Sequence, residues 1–288
     1  MKKRSLAFLV TLAAIACTIM GTTACKKENP SFTIGIFQFT QHESLDAATQ
    51  GFKDALTDKL GDNVTFDERN ANGDRTTCTT VIDEFIYNGV DLILANSTTS
   101  LQIATAATSE IPILGTSVTE YRTALQLNDF DGTIGGNISG TSDFVPPAEQ
   151  AALIQELFPD AKKIGMLCCS SYAAENAAAE CDVIYIPTDN TIASCAGLIA
   201  NICGAEGLPV ITGEESTCRV CGAATLTVDY YDLGYATGEM AARILIDGED
   251  ISTMPIQYAS SFTKKYNADI CRQLGMTLPE DYTPLETE

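Results

Sequence analysis

Two similar Rossmann-like α/β lobes, each built on a parallel sheet, are what three observations predict. Two stretches share one plan, their likeness extends to either side, and short apolar runs alternate with helical segments along the chain. In Asp91-Leu-Ile-Leu-Ala-Asn-Ser-Thr-Thr-Ser-Leu-Gln102 an acidic residue opens a continuous apolar run, small hydroxyl and amide residues follow, and a helical pattern begins. An uninterrupted apolar run suits a strand buried on both faces of a parallel sheet, and Ser or Thr before an apolar-periodic segment signals a helix N-terminus. Asp182-Val-Ile-Tyr-Ile-Pro-Thr-Asp-Asn-Thr-Ile-Ala193 repeats the plan, with Asp189 adding a negative charge to the turn.

Ile34-Gly-Ile-Phe37 has its counterpart in Ile164-Gly-Met-Leu167, and Ile111-Pro-Ile-Leu-Gly115 in Leu208-Pro-Val-Ile-Thr-Gly213. The spacing is unequal: 57 residues separate Ile34 from Asp91, but only 18 separate Ile164 from Asp182. The second half is therefore shortened by 39 residues, about one helix–strand–helix passage, and is expected to lack an edge strand, since a parallel crossover needs a dozen or more residues.

In chain order, Ser31 to Phe39 reads as the first strand. Leu45 to Leu60 follows as a helix, with Leu45, Ala48, Phe52, Ala55 and Leu56 on one face. Asn63 to Asp67 is a strand, Asn70 to Asp74 a turn, and Val81, Ile82, Phe85 and Ile86 mark another helix. Thr133 to Ser142 reads as a strand leaving the first lobe, and Pro146 to Phe158 as a helix with Pro in its first turn. Ala173 to Glu180 suits a two-turn helix, Ala224 to Val228 a strand, Leu233 to Ile246 a helix, Met254 to Thr263 an extended segment and Ala268 to Leu274 a final helix. Crossings near 138–143, 226–231 and 256–262 would form a three-strand hinge that lets the lobes close over a ligand.

The start of the chain reads as a secretory leader. Met1-Lys-Lys-Arg4 is basic, Ser5 to Met20 is apolar, and small residues precede Cys25. This resembles the bacterial lipobox, in which the cysteine becomes lipid-modified; Thr22 stands where Leu is commonest, and Cys17 is a weaker alternative. Losing residues 1–24, with three basic and no acidic groups, takes the formal charge from −21 to −24. Such a balance argues against nucleic acid and against direct binding to anionic lipid. With Cys17 and Cys25 set aside, nine cysteines remain, odd in number and irregularly placed, unlike a disulfide framework. Cys203 and Cys271 read as small core hydrophobes, and Cys218-Arg-Val-Cys221 lacks the second pair that a zinc site would need.

The polar turns lie where open α/β sheets bind ligands, at the carboxyl edge of the strands. Ser97, Thr98 and Thr99 at a helix N-terminus, with Thr116 and Ser117 on the adjacent turn, are candidates to hold a carboxylate. Each hydroxyl taken singly is better accounted for by helix capping, and it is their convergence on one edge that favours a ligand. Asp189, flanked by Thr188 and Asn190, is the candidate for an ammonium group, with capping again the alternative; Glu214 and the weaker Asp229 are substitutes. Asp143 fits either a hinge cap or a ligand contact, and Gln38 is a plausible polar neighbour. Among Phe37, Phe39, Tyr172, Tyr230 and Tyr231, rings available for stacking on an aromatic ligand, Phe37 is better read as core. His42 is the only histidine, and neither a Gly-x-Ser-x-Gly elbow nor a P-loop is present, so the chain reads as a binder rather than an enzyme. No cofactor and no metal are expected.

Leu92-Ile-Leu-Ala95, Ile111-Pro-Ile-Leu114, Gly140-Thr-Ser-Asp143, Ile184-Tyr-Ile-Pro-Thr-Asp-Asn190 and Val228-Asp-Tyr-Tyr-Asp-Leu-Gly234 together resemble the substrate-binding lipoproteins of ABC importers that include the tryptophan- and tyrosine-binding members. The resemblance spans nearly all of 31–282. It implies a type I periplasmic-binding-protein fold, a ligand cleft between lobes, and a permease with its ATPase as partners. An extracytoplasmic, membrane-anchored location and a zwitterionic, aromatic amino-acid ligand follow from it. The loop containing Ser170 and Ser171, at the second lobe's cleft wall, departs from the family pattern, as do Thr98-Thr99 and Thr119-Glu120-Tyr121. A ligand-sensing or degenerate relative, taking a purine or sugar without transport, is the alternative. The expected division is a leader over 1–24 and an anchored linker over 25–32. Residues 33–140 with 230–256 make one lobe, and 141–229 with 257–288 the other.

Overall fold

The computed structural model describes residues 31–171 and 173–285, so the leader, Cys25 and Tyr172 lie outside the described residues. The chain runs β1 (Phe32–Gln38), α1 (Glu43–Leu60), β2 (Val64–Asn70), α2 (Arg75–Asn88), β3 (Leu92–Asn96), α3 (Thr98–Ala107), β4 (Ile113–Val118), α4 (Tyr121–Ala124) and β5 (Ile138–Ser142). It continues through α5 (Pro147–Leu157), β6 (Ile164–Met166), α6 (Ala174–Glu180), β7 (Val183–Ile186), α7 (Asn190–Ala193), α8 (Ala196–Glu206), β8 (Val210–Thr212), α9 (Glu215–Cys221) and β9 (Ala224–Thr227). Then come α10 (Tyr230–Asp247), β10 (Gln257–Tyr258), β11 (Thr263–Tyr266), α11 (Ala268–Gln273) and β12 (Thr283–Pro284).

Two six-stranded sheets result, in the orders β10-β5-β4-β3-β1-β2 and β12-β11-β9-β8-β7-β6. Every pairing is parallel except that of β11 with β9. Strand β3 shows why its sequence is apolar throughout. Ile93 and Ala95 pack under α2 and α3, while Leu92 and Leu94 pack under α1 and α10. Three crossings join the sheets: β5 leads to α5, β9 to α10, and β10 to β11. Gln257 and Tyr258 still pair with β5, so the third crossing falls after Tyr258.

The shortening of the second half has a structural consequence. Between β1 and β3 stand α1, β2 and α2; between β6 and β7 there is only α6, which packs on α8 as α2 packs on α3. The counterparts of α1 and β2 are absent. The second sheet therefore ends at β6, and it reaches six strands only because β12 adds at the opposite edge. Ile34 and Ile36 of β1 are fully buried, whereas the matching Ile164 and Met166 of β6 are 51% and 66% exposed.

One expected strand is shorter. Thr133 to Asn137 is not part of β5, because Gly135 and Gly136 take φ of 83° and 63° and turn the chain just before Ile138. Helix α10 returns from the second sheet to lie along α1, close enough that a Cβ on Gly234 would run into the Ala48 carbonyl oxygen. Gly234→Ala is expected to destabilise the protein by about 1–3 kcal/mol, the usual range for overpacking, read as a fall in the urea midpoint.

Candidate functional site

The carboxyl ends of the two sheets face each other across a small enclosed pocket of about 40 Å³. His42, Thr98, Ser117 and Thr119 come to it from the ends of β1, β3 and β4; Thr188, Asn190 and Glu214 come from the ends of β7 and β8. Asp143 and Tyr230 enter from two of the crossings. The fold places them there because strands that are apolar throughout end in polar turns, and both sheets present those ends to one gap.

Three links from the start of α1 span the gap. His42 Nε2 lies 2.7 Å from Asn190 Oδ1, the Ser44 hydroxyl donates to Glu214 Oε2 at 2.6 Å, and Arg219 makes a two-pronged ion pair with Glu43 at 3.0 and 2.9 Å. The lobes are thus described in contact. Because an amide oxygen only accepts, His42 Nε2 is the donor of the first of these links.

Three polar atoms of the pocket lining are buried without a partner: His42 Nδ1, Ser117 Oγ and Asp143 Oδ1. Buried polar atoms are normally paired, so three together mark a place where an outside group is expected. Ser117 also holds a left-handed backbone, φ 53°, which costs energy for a residue with a side chain. Asp143 is 2% exposed, and its Oδ2 accepts from the Tyr230 hydroxyl at 2.8 Å. Burial raises its pKa above the ordinary 3.8; the hydroxyls of Tyr230 and Thr119 oppose that shift, while nearby Glu214 adds to it. Glu214 is satisfied from within: Ser44, Ser216 and Thr217 all donate to it. Two buried carboxyl groups face a pocket that no Lys or Arg lines.

Of the residues singled out from sequence, Thr98, Ser117, Asp143, Thr188, Asn190, Glu214 and Tyr230 line the pocket. The others do not, each for a local reason. Asp189 caps α7 and bridges to the β6 loop: its carboxylate accepts from the amides of Cys169, Thr191 and Ile192 at 2.6, 2.8 and 3.0 Å. Ser97 caps α3 by accepting from the Ser100 amide, and Thr99 lies within the first turn of that helix. Thr116 pairs with the Thr141 hydroxyl, and Gln38 is tied to Thr40, Asp46 and Thr49 inside the first lobe. Asp229 is an exposed cap of α10, accepting from Asp232. Ser170 and Ser171 stand in the loop after β6, outside the pocket lining. Among the candidate rings described, only Tyr230 lines the pocket; Phe37 and Phe39 join the first core, and Tyr231 is 39% exposed.

His42, Leu45 and Thr119 line the pocket but were not among the candidate ligand contacts. Their signal was position: His42 immediately precedes α1, and Thr119 immediately follows β4. Cys203 and Cys271 are buried in α8 and α11 as expected of small apolar residues. Cys218 and Cys221 are likewise buried in α9, and burial pushes both thiols up, Cys221 to about 12, which leaves them unreactive at neutral pH. Cysteines 78 to 271 are all free thiols, and no metal-binding cluster exists among the described residues.

This geometry, a closable gap lined from two parallel sheets, belongs to the extracytoplasmic binding proteins. A family model for ABC transporter substrate binding proteins matches residues 33–180 and 170–286, and the chain belongs to that family. The two matched segments overlap over 170–180, at the place where the second half is shortened. A tyrosine-binding protein of Clostridioides difficile (strain R20291) is 32% identical over 280 residues, covering 84% of this chain and 81% of the relative. The ABC domain in complex with L-Trp from Streptococcus pneumonia superposes with a TM-score of 0.81 at 29% identity, covering 87% of this chain and 96% of that one. The ligand-free, open structure of a substrate binding protein with adhesive properties from Clostridium difficile gives 0.70 at 33% identity, over 89% of this chain and 100% of that one. The family binds small molecules for ABC transporters and is not enzymatic. No helix among the described residues is long and apolar enough to cross a membrane.

Because the folded-state pKa of Asp143 lies above its unfolded value, the empty protein binds the extra proton between the two. Its stability should therefore fall as pH rises from about 3.8 through the raised value. Asp143→Asn is expected to remove that contribution, leaving a flatter dependence of melting temperature on pH when both proteins are melted without ligand over about pH 4–8.

Proposed function

We propose that this chain is the substrate-binding lipoprotein of an amino-acid importer, taking a zwitterionic, aromatic amino acid between its lobes. The observation that carries the reading is the set of three unpartnered buried atoms on one pocket that holds two carboxyl groups and no Lys or Arg. An ammonium group would donate to Asp143 Oδ1 and His42 Nδ1, and would relieve the cost of ionising Asp143 in a buried place. The ammonium role that sequence assigns to Asp189 passes to Asp143, since Asp189 already accepts three amides. The ligand carboxylate would meet the first turn of α3 at Thr98, with the hydroxyls of Ser117 and Thr119 beside it. Closure through residues 42–44 then excludes water and strengthens each contact. The tyrosine- and tryptophan-binding relatives support an aromatic side chain. Lipidation at Cys25 after loss of residues 1–24 would tether the protein outside the cytoplasm beside its permease and ATPase.

In a calorimetric panel of the twenty amino acids, purines and sugars, tyrosine, tryptophan or phenylalanine should bind best. Asp143→Asn should weaken that ligand at least tenfold, about 1.4 kcal/mol, whereas Asp189→Ala should cost about 1 kcal/mol of stability through its lost cap and leave affinity within about twofold. Binding of purines or sugars alone would sink the proposal. Labelling with radioactive palmitate in an expressing bacterium should mark the wild type and not Cys25→Ala.

A further inference from the structure

Every cross-lobe link described above comes from consecutive residues, His42, Glu43 and Ser44. A helix start is ordinarily fixed by its own cap, because its first N–H groups have no partner within the helix. Helix α1 lacks one: His42 stands at the cap position and makes no side-chain bond to the first turn. Something else must hold these residues where the second lobe can reach them.

A set of buried side chains does so. Gln38, at the end of β1, donates through Nε2 to the Thr40 carbonyl at 2.9 Å and to Asp46 Oδ1 at 2.7 Å. Asn96, at the end of β3, donates through Nδ2 to the Leu45 carbonyl at 2.8 Å and to the Thr49 hydroxyl at 2.9 Å. The Thr49 hydroxyl in turn donates to Gln38 Oε1 at 2.9 Å, which closes the set. Gln38, Thr49 and Asn96 are all buried, so water does not compete for these bonds. They clasp the chain at Thr40, Leu45 and Asp46, on both sides of residues 42–44.

Asn96 carries a mark of this role. Its Oδ1 is buried without a partner, a costly state. Turning the amide over would set that oxygen against the Leu45 carbonyl, acceptor against acceptor. The bare oxygen follows from keeping the N–H groups on α1, whereas a position asked only to fill space would take an apolar residue. Thr98 of the pocket lies two residues further on, so one strand end supports both the pocket wall and the start of α1.

We propose that Gln38, Thr49 and Asn96 are positioning residues for ligand retention: they hold residues 42–44 where these tie the lobes together, and so set how long a ligand stays between them. The inference rests on the amino-acid reading above and assigns to that site the residues that govern release.

The test is stopped-flow and calorimetric binding of L-tyrosine and L-tryptophan to the full mature protein, with Asn96→Leu and Gln38→Met as variants of similar volume. Thr49→Val, which removes a single hydroxyl from the centre of the set, takes their place if either unfolds. Each variant should release ligand at least tenfold faster, with the association rate within twofold and the stoichiometry unchanged. A merely loosened fold would lower the stoichiometry instead. Ser44→Ala should speed release in the wild type and add less than twofold in Asn96→Leu, because a displaced Ser44 has no link left to lose. Release within twofold of the wild type, or effects of Ser44→Ala and Asn96→Leu that multiply, overturns the inference and leaves the amino-acid reading standing. If neither amino acid binds the wild type, that reading fails and hydrogen exchange decides the inference alone. Amides of residues 42–46 must then exchange at least tenfold faster in Asn96→Leu, with the last two turns of α1 still protected, or the inference falls as well.

Discussion

Everything at the cleft turns on one buried carboxyl group with half its acceptors unused. Asp143 lies at a crossing between the lobes, 2% exposed, held on one side by Tyr230 and open on the other. Burying a charge without a partner is costly, so the group titrates above its ordinary range while it waits. Glu214 shows the other solution to the same difficulty. Three hydroxyls satisfy it, and one of them, from Ser44, reaches across from the opposite lobe. One carboxyl group therefore ties the lobes together, and the other keeps an oxygen that no protein donor reaches.

The hinge makes these roles compatible. Residues 42–44, just before and within the first turn of α1, supply every one of the cross-lobe links described above. Helix α1 is in turn seated on α10, the element that returns from the second sheet. The close approach at Gly234 keeps that packing tight. The Glu43–Arg219 pair is half exposed on its acidic side and adds little in water. The weight of closure rests on the buried hydroxyl–carboxylate contacts and on whatever fills the pocket.

Loss of one helix and one strand from the second half changes more than an edge. The core beneath α6 and α8 is complete, because α6 fills the role that α2 fills in the first half. On the opposite face nothing replaces α1, and apolar residues that would have been interior become the wall of a groove. The shortening thus leaves the fold standing and alters the surface between α5 and β6.

Much of the architecture was legible in the chain. Apolar runs bounded by turns, the repeat of Asp and Pro positions, and the 57-against-18 spacing specified the succession of strands and helices, two lobes and the missing edge, since these depend on local burial and on the reach of the chain. The site was legible only as a neighbourhood. A polar side chain at a helix start has the same sequence signature whether it caps its own helix, as Ser97 and Asp189 do, or faces the gap, as Thr98 and Asn190 do. That choice follows from which backbone amides lie within reach of each side chain. Sequence by itself determined that two polar strand ends exist; tertiary structure alone decided that Asp143 keeps a free oxygen while Asp189 does not, because partners supplied by distant segments are set by packing rather than by order along the chain.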